Sequence, residues 1–593
     1  MLTYYGGKRG ERRKNMIKKL SGCIREYKKE SILAPVFVTL EVVMEVLIPL
    51  VMAGLIDHGI DAGNMKEVGK YGAVLVVFAL LSLWFGVLAA KYAAVASAGF
   101  AKNLRKDMFY NVQTFSFSNI DKFSAASLIT RLTTDVTNVQ MAFMMVVRVA
   151  ARAPLMLIFS VVMAFVINVE ITLVFIGVLP FLAAALFLII NKAHPIFERI
   201  FKTYDKLNNV VRENIRGIRV VKAYVREKHE IDKFKKTSEV IFKDFSKAEK
   251  LIAFNGPVMQ LAIYTCMIGA SWIGAKLIVA GSLTTGELVS IITYAMQILM
   301  SLMMVSMIFV MMTISRASAE RTCEVLSEKS DITDPEEPVT EVKDGSIIFK
   351  NVGFSYSGDA ERECLFDIDL EIKSGETVGI VGGTGSSKST LIQLIPRLYD
   401  VSEGEVLVGG VNVKDYDLHV LRNSVSVVLQ KNVLFSGTII DNMHWGDENA
   451  SMEEIERACE ISQANEFING FPDKFETYID QGGTNVSGGQ RQRLCIARAL
   501  LKKPKILIMD DSTSAVDTAT DAKIRKGFRE DIPDTTKIVI AQRIASVEHA
   551  DKIIVLEGGR IDGIGTHEEL LQNNEIYREA YTSQMKGGAG IGE

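Results

Sequence analysis

The clearest chemical signal in the chain is a glycine-rich stretch in its second half. Residues 382–390 read Gly-Gly-Thr-Gly-Ser-Ser-Lys-Ser-Thr, and apolar runs at 378–381 and 391–395 flank them. A strand, a glycine-rich loop and a helix in this order direct backbone N–H groups and a helix N-terminus at anionic oxygens. The pattern predicts a phosphate-binding loop, with a glycine-rich turn that binds no nucleotide as the alternative.

The side chains of this stretch fit a nucleoside triphosphate and magnesium. Lys388 would reach the β and γ phosphates, and the hydroxyl of Ser389 would ligate Mg²⁺. One residue departs from the G-x-x-x-x-G-K-[ST] pattern, because Ser387 replaces a glycine and adds a Cβ where the backbone is tight. The residues predicted to bind ATP in this stretch are Gly383, Thr384, Gly385, Ser386, Ser387, Lys388, Ser389 and Thr390.

Three other segments could complete such a site. Tyr356 precedes the loop by about thirty residues and could stack on a nucleotide base. The apolar run 506–510 ends in Asp510, a carboxylate suited to holding the Mg²⁺ shell. Between these segments, Ser487 and two glycines open a helical stretch and would form a second anion site.

The elements that position these residues belong to a chain of 593 residues. That length predicts more than one domain, since single cores stop growing at about 250 to 300 residues. A hydrophobic content of 48% and a mean hydropathy of +0.20 predict membrane spans. The net charge of −3 gives no indication of a nucleic-acid partner. The six cysteines form no C-x-x-C pair or zinc spacing, so structural disulfides are not expected.

Six apolar runs meet the requirement of about 20 residues for crossing a bilayer. Two connections, 95–140 and 192–250, are long and rich in lysine and arginine, whereas the others are short with few basic residues. Both long loops and both chain ends are therefore predicted on the cytoplasmic side. Helical spacing of apolar residues in the loops predicts that the membrane helices continue into the cytoplasm. The runs are 32–56, 69–94, 141–167, 171–191, 254–280 and 288–314.

Composition predicts the remaining boundaries. Residues 1–30 would form a basic amphipathic helix on the membrane surface, with an ordinary surface helix as the alternative. The transmembrane domain would cover 31–326. Residues 327–345 are acidic and contain two prolines, which is typical of a linker. In 346–593, strand-like runs alternate with helical ones, as in an α/β nucleotide-binding domain.

Charged residues inside the predicted spans are informative, because a charge costs about 2.5 to 3.5 kcal/mol at a helix centre. Glu41 and Glu45 are one turn apart in the first span, and Arg148 and Arg152 are one turn apart in the third. We expect them to pair with each other or to line a water-filled cavity. The alternative is that the span ends are misplaced and the charges lie at the interface.

The sixth span is rich in methionine. Flexible, polarizable methionines could repack around varied apolar ligands, although methionines at helical spacing are more often ordinary packing. The residues concerned are Met296, Met300, Met303, Met304, Met307, Met311 and Met312.

The order of the motifs resembles the nucleotide-binding domain of ATP-binding cassette (ABC) transporters. The phosphate loop is followed by Gln430, by Val486-Ser487-Gly488-Gly489-Gln490, by the strand ending at Asp510, and by Ser514-Ala515-Val516-Asp517. Six preceding spans with two long loops are similar to the half-transporter exporters of that superfamily. The resemblance covers nearly the whole chain.

In that family two nucleotide-binding domains dimerise head to tail, and each ATP lies between the phosphate loop of one and the signature of the other. The resemblance implies that Ser389, Gln430 and Asp510 serve the Mg²⁺ site. It makes the turns near 110–120 and 205–216 coupling helices. It also assigns partner ATP binding to the signature residues Val486, Ser487, Gly488, Gly489 and Gln490, and a D-loop to Ser514 and Asp517.

Two positions depart from the family at the chemistry. Asp511 replaces the catalytic glutamate, which withdraws the carboxylate by about one methylene, and a misplacement near 1 Å costs on the order of a hundredfold in rate. Gln542 replaces the switch histidine, and an amide hydrogen bonds but cannot take up charge. With Ser387, these residues predict a site that binds ATP and hydrolyses it poorly. The alternative is that Asp511 serves adequately as base.

The intact signature would complete a competent site on a partner that brings glutamate and histidine, whereas a homodimer would have two impaired sites. The sequence therefore predicts one subunit of a heterodimeric exporter in a prokaryotic cytoplasmic membrane. ATP and Mg²⁺ are the expected cofactors. A second, non-identical half-transporter, the lipid bilayer and a small amphipathic substrate are the expected partners. An importer with the exporter fold and a non-hydrolytic, ATP-gated subunit are the alternatives.

Overall fold

The computed structural model describes residues 15–357, 362–511 and 516–589. The chain divides into two compact units. The first comprises Met1–Gln113 and Ala125–Glu328, and the second comprises Thr114–Ser124 and Lys329–Glu593. The first unit is helical and the second combines sheets with helices, which confirms the predicted fold class.

Long helices build the first unit. Within the described residues, six helical stretches are long and apolar enough to cross a membrane, and each overlaps one of the predicted runs. The prediction of six spans is therefore confirmed. The helices are Lys28–Leu55, Met65–Gln113, Ala125–Thr130, Val136–Ile167, Val169–Arg216, Ile218–Ala223, Glu227–Ala253, Asn255–Val279 and Thr285–Ser327, with π-helical turns at Ile56–Ile60 and Arg131–Asp135.

Three of these helices far exceed the about 20 residues that cross a bilayer. Met65–Gln113 has 49 residues, Val169–Arg216 has 48 and Thr285–Ser327 has 43. The predicted long helical extensions are confirmed, but one predicted turn is wrong. Residues 205–216 remain helical because their apolar spacing continues, and the chain turns only after Gly217 ends the helix.

Apolar side chains from several helices form the core of the first unit. Val38 and Val42 of the first long helix pack in one cluster with Phe175 and Ile291. The buried hydroxyl of Tyr294 donates to the Val46 carbonyl oxygen at 2.6 Å. A polar group inside the apolar bundle is thereby satisfied, as buried hydroxyls require.

Two predicted boundary segments are only partly visible as regular structure. Residues 15–22 are helical, and residues 1–14 lie outside the described residues. The membrane-surface role of this segment stays a prediction. The last helix of the first unit ends at Ser327 and the first strand of the second begins at Ile347, so the predicted linker 327–345 falls between regular elements.

Parallel strands form the centre of the second unit. Within the described residues, a six-stranded sheet has the order β12-β11-β3-β10-β9-β6, with β12 antiparallel and the other five parallel. An antiparallel sheet has the order β2-β1-β4-β5, and β7 pairs with β8. The strands are β1 (Ile347–Phe354), β2 (Leu365–Ile372), β3 (Thr377–Gly382), β4 (Glu403–Val408), β5 (Val411–Asn412), β6 (Val425–Val428), β7 (Gly437–Thr438), β8 (Tyr478–Ile479), β9 (Ile506–Asp510), β10 (Thr536–Ile540), β11 (Lys552–Glu557) and β12 (Arg560–Gly565).

Both faces of the parallel sheet are covered. On β9, Leu507 and Met509 belong to one apolar cluster, whereas Ile506 and Ile508 belong to another. A strand buried on both faces reads as a continuous apolar run, as this one does. The helices of this unit are Phe117–Phe123, Lys388–Leu394, Leu418–Ser424, Ile439–Met443, Met452–Ile461, Asn465–Ile468, Gly488–Leu501, Thr518–Asp531, His567–Asn573 and Glu575–Ala589.

The segment Thr114–Ser124 belongs to the second unit, although the residues before and after it in the sequence belong to the first. The hydroxyl of Ser118 donates to Asp331 at 2.7 Å, and Asp121 accepts a hydrogen bond of 2.7 Å from the hydroxyl of Tyr399. Phe117 packs edge-on against the Tyr399 ring. Residues 117–121, at the turn predicted near 110–120, therefore contact the part of the second unit that carries the nucleotide motifs.

Candidate functional site

The parallel sheet brings the predicted site residues to one edge. In such a sheet the carboxyl ends of the strands meet at the same edge, and ligands bind in the crevice outside them. The phosphate loop follows β3, Gln430 follows β6, Asp511 follows β9 and Gln542 follows β10. Segments more than a hundred residues apart in sequence therefore converge because β3, β10, β9 and β6 are successive neighbours.

The phosphate loop joins β3 to the helix Lys388–Leu394. Two of its glycines are required by the backbone. A Cβ on Gly382 would collide with the Leu556 carbonyl oxygen of the neighbouring strand, and Gly385 has a φ of +87°. Gly383, Thr384 and Gly385 are exposed, so the tip of the loop is open to a ligand. The local structure is the strand, loop and helix that the sequence predicts.

Ser387, the residue that departs from the loop pattern, has a left-handed backbone with φ +67° and ψ +23°. Its side chain forms no capping hydrogen bond to the helix that follows. The left-handed conformation costs a residue with a Cβ about 1 to 2 kcal/mol, and glycine avoids that cost. The phosphate loop of this chain therefore carries local strain at the helix start.

Lys388 folds across its own loop. Its Nζ donates to the carbonyl oxygens of Gly382 at 2.9 Å and Gly383 at 2.7 Å, and to the hydroxyl of Ser386 at 3.1 Å. Burial lowers the pKa of Lys388, while the charges of Asp510 and Asp511 oppose that shift. The ammonium group is thus held at the loop and faces the two carboxylates.

Asp510 and Ser389 form the part of the site that suits magnesium. Asp510 is buried at the end of β9, and its carboxylate accepts a hydrogen bond from the side chain of Ser389. Burial raises the pKa of Asp510, and that hydrogen bond opposes the rise. Hydroxyl and carboxylate oxygens are the ligands that Mg²⁺ prefers, and it takes its other ligands from phosphate and water. The residues present therefore fit Mg²⁺ bound together with ATP.

Asp511 is engaged by amides from two neighbouring loops. Gln542 Nε2 donates to its Oδ2 at 2.7 Å, and the side chain of Gln430 forms a second hydrogen bond with the carboxylate. The backbone of Asp511 is left-handed, with φ +49°. Burial raises the pKa of Asp511, while the two amide hydrogen bonds oppose that rise. The structure thus joins both departures from the family pattern in one contact.

Tyr356 lies just after β1 and is linked to the phosphate-loop helix. Its hydroxyl donates to Gln393 Oε1 at 3.2 Å and shares a second hydrogen bond with Thr390 Oγ1 at 3.1 Å. Its ring packs edge-on against Phe354 and Tyr399, and the residue as a whole is 48% exposed. An exposed aromatic face held beside the loop is suited to stacking on a base.

The signature segment starts the helix Gly488–Leu501. Ser487 has φ −66° and ψ 161°, and it forms a capping box in which its hydroxyl accepts from Gln490 N at 3.2 Å and its own N–H donates to Gln490 Oε1 at 2.9 Å. Ser487 and Gly488 are exposed, whereas Val486 is buried beneath them. The hydrogen bonds of the signature are local, and its exposed face is available to another molecule.

The predicted D-loop is described in part. Asp517 caps the helix Thr518–Asp531 and accepts hydrogen bonds from Thr520 N at 2.9 Å and Thr520 Oγ1 at 2.7 Å. These bonds lower the pKa of Asp517. Ser514 lies outside the described residues.

The membrane charges lie in the first unit and form an ion triad. Arg152 donates to Glu41 Oε1 at 2.5 Å and to both carboxylate oxygens of Glu45 at 2.8 Å. Glu41 is buried, while Arg148 is exposed one turn before Arg152. The predicted pairing therefore involves both glutamates and one of the two arginines.

Gln584 was not among the residues predicted from the sequence. It contacts residues 542–545, which we call the switch segment because they begin at Gln542, the switch position. Gln584 lies on the terminal helix Glu575–Ala589, and its side-chain amide binds the backbone at Gln542 and Ile544. A single glutamine 42 residues beyond the switch gives no local signal, so only the fold reveals the contact.

The fold and the site define a multi-pass membrane protein with an ATP-binding domain. That domain combines a phosphate loop with a buried strand, β9, that ends in Asp510. Comparison with known families agrees, since residues 31–302 match the ABC transporter transmembrane region and residues 365–514 match the ABC transporter domain. The chain belongs to the ABC transporter family, and its organisation is that of an exporter half-transporter with an ABC-type transport ATPase domain.

Individual relatives span nearly the same length. The chain is 37% identical over 553 residues to the uncharacterized ABC transporter ATP-binding protein YfiB of Bacillus subtilis (strain 168), covering 93% of this chain and 96% of the relative. It is 34% identical to the probable multidrug resistance ABC transporter ATP-binding/permease protein YheI of the same organism, covering 82% and 84%. The solved structure of a bacterial Atm1-family ABC exporter with ATP bound shares the fold, with a TM-score of 0.82 at 23% identity over 94% of this chain and 99% of that one.

Proposed function

We propose that the chain is one subunit of a heterodimeric ABC exporter, and that its own phosphate-loop site holds ATP and hydrolyses it slowly. The observation that carries this proposal is the state of Asp511. Its short carboxylate accepts a hydrogen bond from Gln542 and is bonded by Gln430. A general base must lie within about 2.6 to 3.2 Å of the water it activates. The Asp511 side chain is shorter than that of glutamate, and its carboxylate is already hydrogen bonded by two amides. It is therefore poorly placed to reach and activate a water molecule.

Binding of ATP needs fewer groups than its hydrolysis. The exposed loop tip, the Lys388 ammonium, the Ser389–Asp510 pair and the Tyr356 ring supply phosphate, magnesium and base contacts. None of these groups depends on the identity of residues 511 and 542. The site is therefore suited to ATP retention, and a retained ATP would hold two nucleotide-binding domains together.

The signature segment supports a non-identical partner. Ser487 and Gly488 are exposed at the start of a capped helix, where backbone N–H groups and the helix N-terminus attract anions. This segment would complete the ATP site of a second half-transporter that supplies glutamate and histidine. Two copies of this chain would pair two weak sites, so a heterodimer is the assembly that gives efficient turnover.

The membrane domain of such a subunit would move a small amphipathic substrate out of the cell. The spans would lie in the cell membrane, with the nucleotide-binding domain in the cytoplasm, because the long basic loops lie on that side by charge. Met296, Met300 and Met307 are exposed along the last long helix of the first unit. A flexible, polarizable surface of this kind suits apolar ligands of varied shape. ATP binding would turn the cavity outward, and hydrolysis at the partner's site would reset it.

The ion triad is proposed to line the transport path at its partly exposed edge. Glu45 and Arg152 each keep 24% of their side chains exposed. Glu41→Gln removes one charge and leaves the Arg152–Glu45 pair, so we expect transport to change while membrane insertion and thermal stability are retained. Glu170→Gln, at an exposed helix start, is the matched control. Unchanged transport in Glu41→Gln would contradict a role for the triad in the transport path.

ATPase measurements on purified protein test the heterodimer. The full-length chain is expressed alone and together with a half-transporter of the same organism that carries the catalytic glutamate and the switch histidine, and both samples are assayed in lipid. We expect slow turnover by the chain alone and at least about a tenfold gain on adding a partner that carries the catalytic glutamate. Rapid ATP hydrolysis by the chain alone would contradict the proposal. Slow turnover that no glutamate-bearing partner raises would favour the ATP-gated, non-hydrolytic subunit.

A further inference from the structure

The switch segment that carries Gln542 is held from two sides. On one side, Arg525 of the helix Thr518–Asp531 donates to the Ala545 carbonyl oxygen at 2.8 Å. On the other side, Gln584 of the terminal helix bonds the backbone twice. Its Nε2 donates to the Gln542 carbonyl oxygen at 2.9 Å, and its Oε1 accepts from the Ile544 N–H at 2.9 Å.

The two bonds of Gln584 fix the conformation of the residue between them. Arg543 is extended, with φ −99° and ψ 124°. In an extended chain, the carbonyl before a residue and the N–H after it point to the same side, as in strand pairing. One primary amide matches that donor and acceptor pair. Gln584 therefore closes a ring around Arg543 and sets the direction in which Gln542 leaves the backbone.

The same contacts continue to the carboxylate of the site. The side chain of Gln542 donates to Asp511 Oδ2 at 2.7 Å, so Gln584, Gln542 and Asp511 are connected in series. We propose that Gln584 is a positioning residue for the terminal-phosphate side of the ATP site, and that it acts by holding Gln542 in register with Asp511. The inference rests on the proposed function, because it requires ATP in this site, and it adds that Gln542 reaches the terminal phosphate of that ATP.

The stability of the terminal helix does not depend on Gln584. The helix is anchored instead by Tyr577, which is 1% exposed and whose hydroxyl shares a hydrogen bond of 2.7 Å with His567 Nδ1. Gln584 itself is exposed. Truncating it removes two hydrogen bonds to the switch and leaves the buried anchor in place, so the variant is expected to fold.

Nucleotide affinity of the full-length chain in lipid tests the proposal. Fluorescent adenylyl-imidodiphosphate, which is not hydrolysed, and fluorescent ADP are compared in the presence of Mg²⁺. Gln584→Ala is expected to weaken the triphosphate analogue about fivefold, as for one hydrogen bond of ordinary strength, and to leave ADP unchanged. Gln584→Glu keeps an acceptor for Ile544 N–H and loses the donor to Gln542, so it should weaken the triphosphate too. Ser583→Ala, exposed on the same helix, is the matched control.

A double variant separates positioning from general stabilisation. If Gln584 acts through Gln542, then Gln542→Ala with Gln584→Ala binds the triphosphate no more weakly than Gln542→Ala alone. Additive losses, or equal losses for triphosphate and diphosphate, would overturn the inference. Both ligands bind without turnover. Rapid ATP hydrolysis by the wild-type chain alone would therefore contradict the proposed function, while the comparison of triphosphate and diphosphate affinities would still test the role of Gln584.

Discussion

The helix after the phosphate loop and the helix that begins within the signature are each preceded by a serine, and the two serines differ. Ser387 precedes the phosphate-loop helix with φ +67° and no side-chain cap, whereas Ser487 precedes the signature helix with φ −66° and a complete capping box. Both helix starts are predicted anion sites. The first is strained by its residue type and the second is stabilised by it. Residue type alone therefore does not decide the quality of a helix start, because the loop that delivers the residue sets its backbone conformation.

The same contrast extends to the chemistry around each serine. The site reached by the phosphate loop contains Asp511 and Gln542, which bond each other. The signature contains no departure from the family pattern and presents Ser487 and Gly488 to the outside. In the proposed assembly, the chain would offer an unstrained signature to a partner and would keep the altered phosphate-loop site for itself. Variants placed in each half test the two separately.

The largest effect is expected at the signature. In the proposed two-subunit transporter, Ser487→Ala would remove a ligand for the partner's ATP as well as a helix cap, and ATPase should fall about a hundredfold, as on loss of a transition-state donor. ATP turnover in lipid measures the change.

Ser451→Ala is the matched control for the signature variant. Ser451 forms the same capping box with Glu454 at the start of the helix Met452–Ile461. Each variant should lose about 1 kcal/mol of stability through its cap. Equal ATPase in the two variants would show that Ser487 serves only the helix.

A smaller effect, of opposite sign, is expected in the chain's own site. Asp511→Glu extends the carboxylate by one methylene, and ATPase of the chain alone should rise on the order of tenfold, part of the hundredfold that a misplacement near 1 Å costs. Asp511→Asn, which keeps the length and loses the charge, should give no gain. If Asp511→Glu leaves turnover slow, the length of the carboxylate arm is not what limits hydrolysis.

Local patterns in the sequence predicted much of this molecule. Glycine spacing predicted the strand, loop and helix around residues 382–390, hydropathy predicted six spans, and an apolar run ending in Asp510 predicted the strand β9. Each signal lies within a short window, where chain period and residue type dictate local structure.

Contacts between distant segments were not predictable in this way. Two such contacts depend on tertiary packing. One is the pair of hydrogen bonds from Gln584 to the backbone at Gln542 and Ile544, and the other is the placement of Thr114–Ser124 in the second unit. The turn placed at 205–216 was wrong because helical spacing marks a helix without marking its end, although Gly217 was available as a stop signal. The hydrogen bond between Asp511 and Gln542 follows from the adjacency of β9 and β10, which the sequence alone did not give.

The smallest predicted effect concerns the strained serine itself. Ser387→Gly should raise the free energy of unfolding of the nucleotide-binding domain by about 1 kcal/mol, because glycine adopts the left-handed conformation without the Cβ clash. Ser386→Gly is the matched control, since Ser386 accepts from Lys388 Nζ and donates to the Gly383 carbonyl oxygen at 2.9 Å, and its loss should lower stability. Thermal unfolding of the full-length chain without nucleotide measures both changes. Opposite signs would locate the strain at residue 387, whereas a loss in both variants would mean that the loop needs both serine side chains and that the contrast between Ser387 and Ser487 is not one of strain.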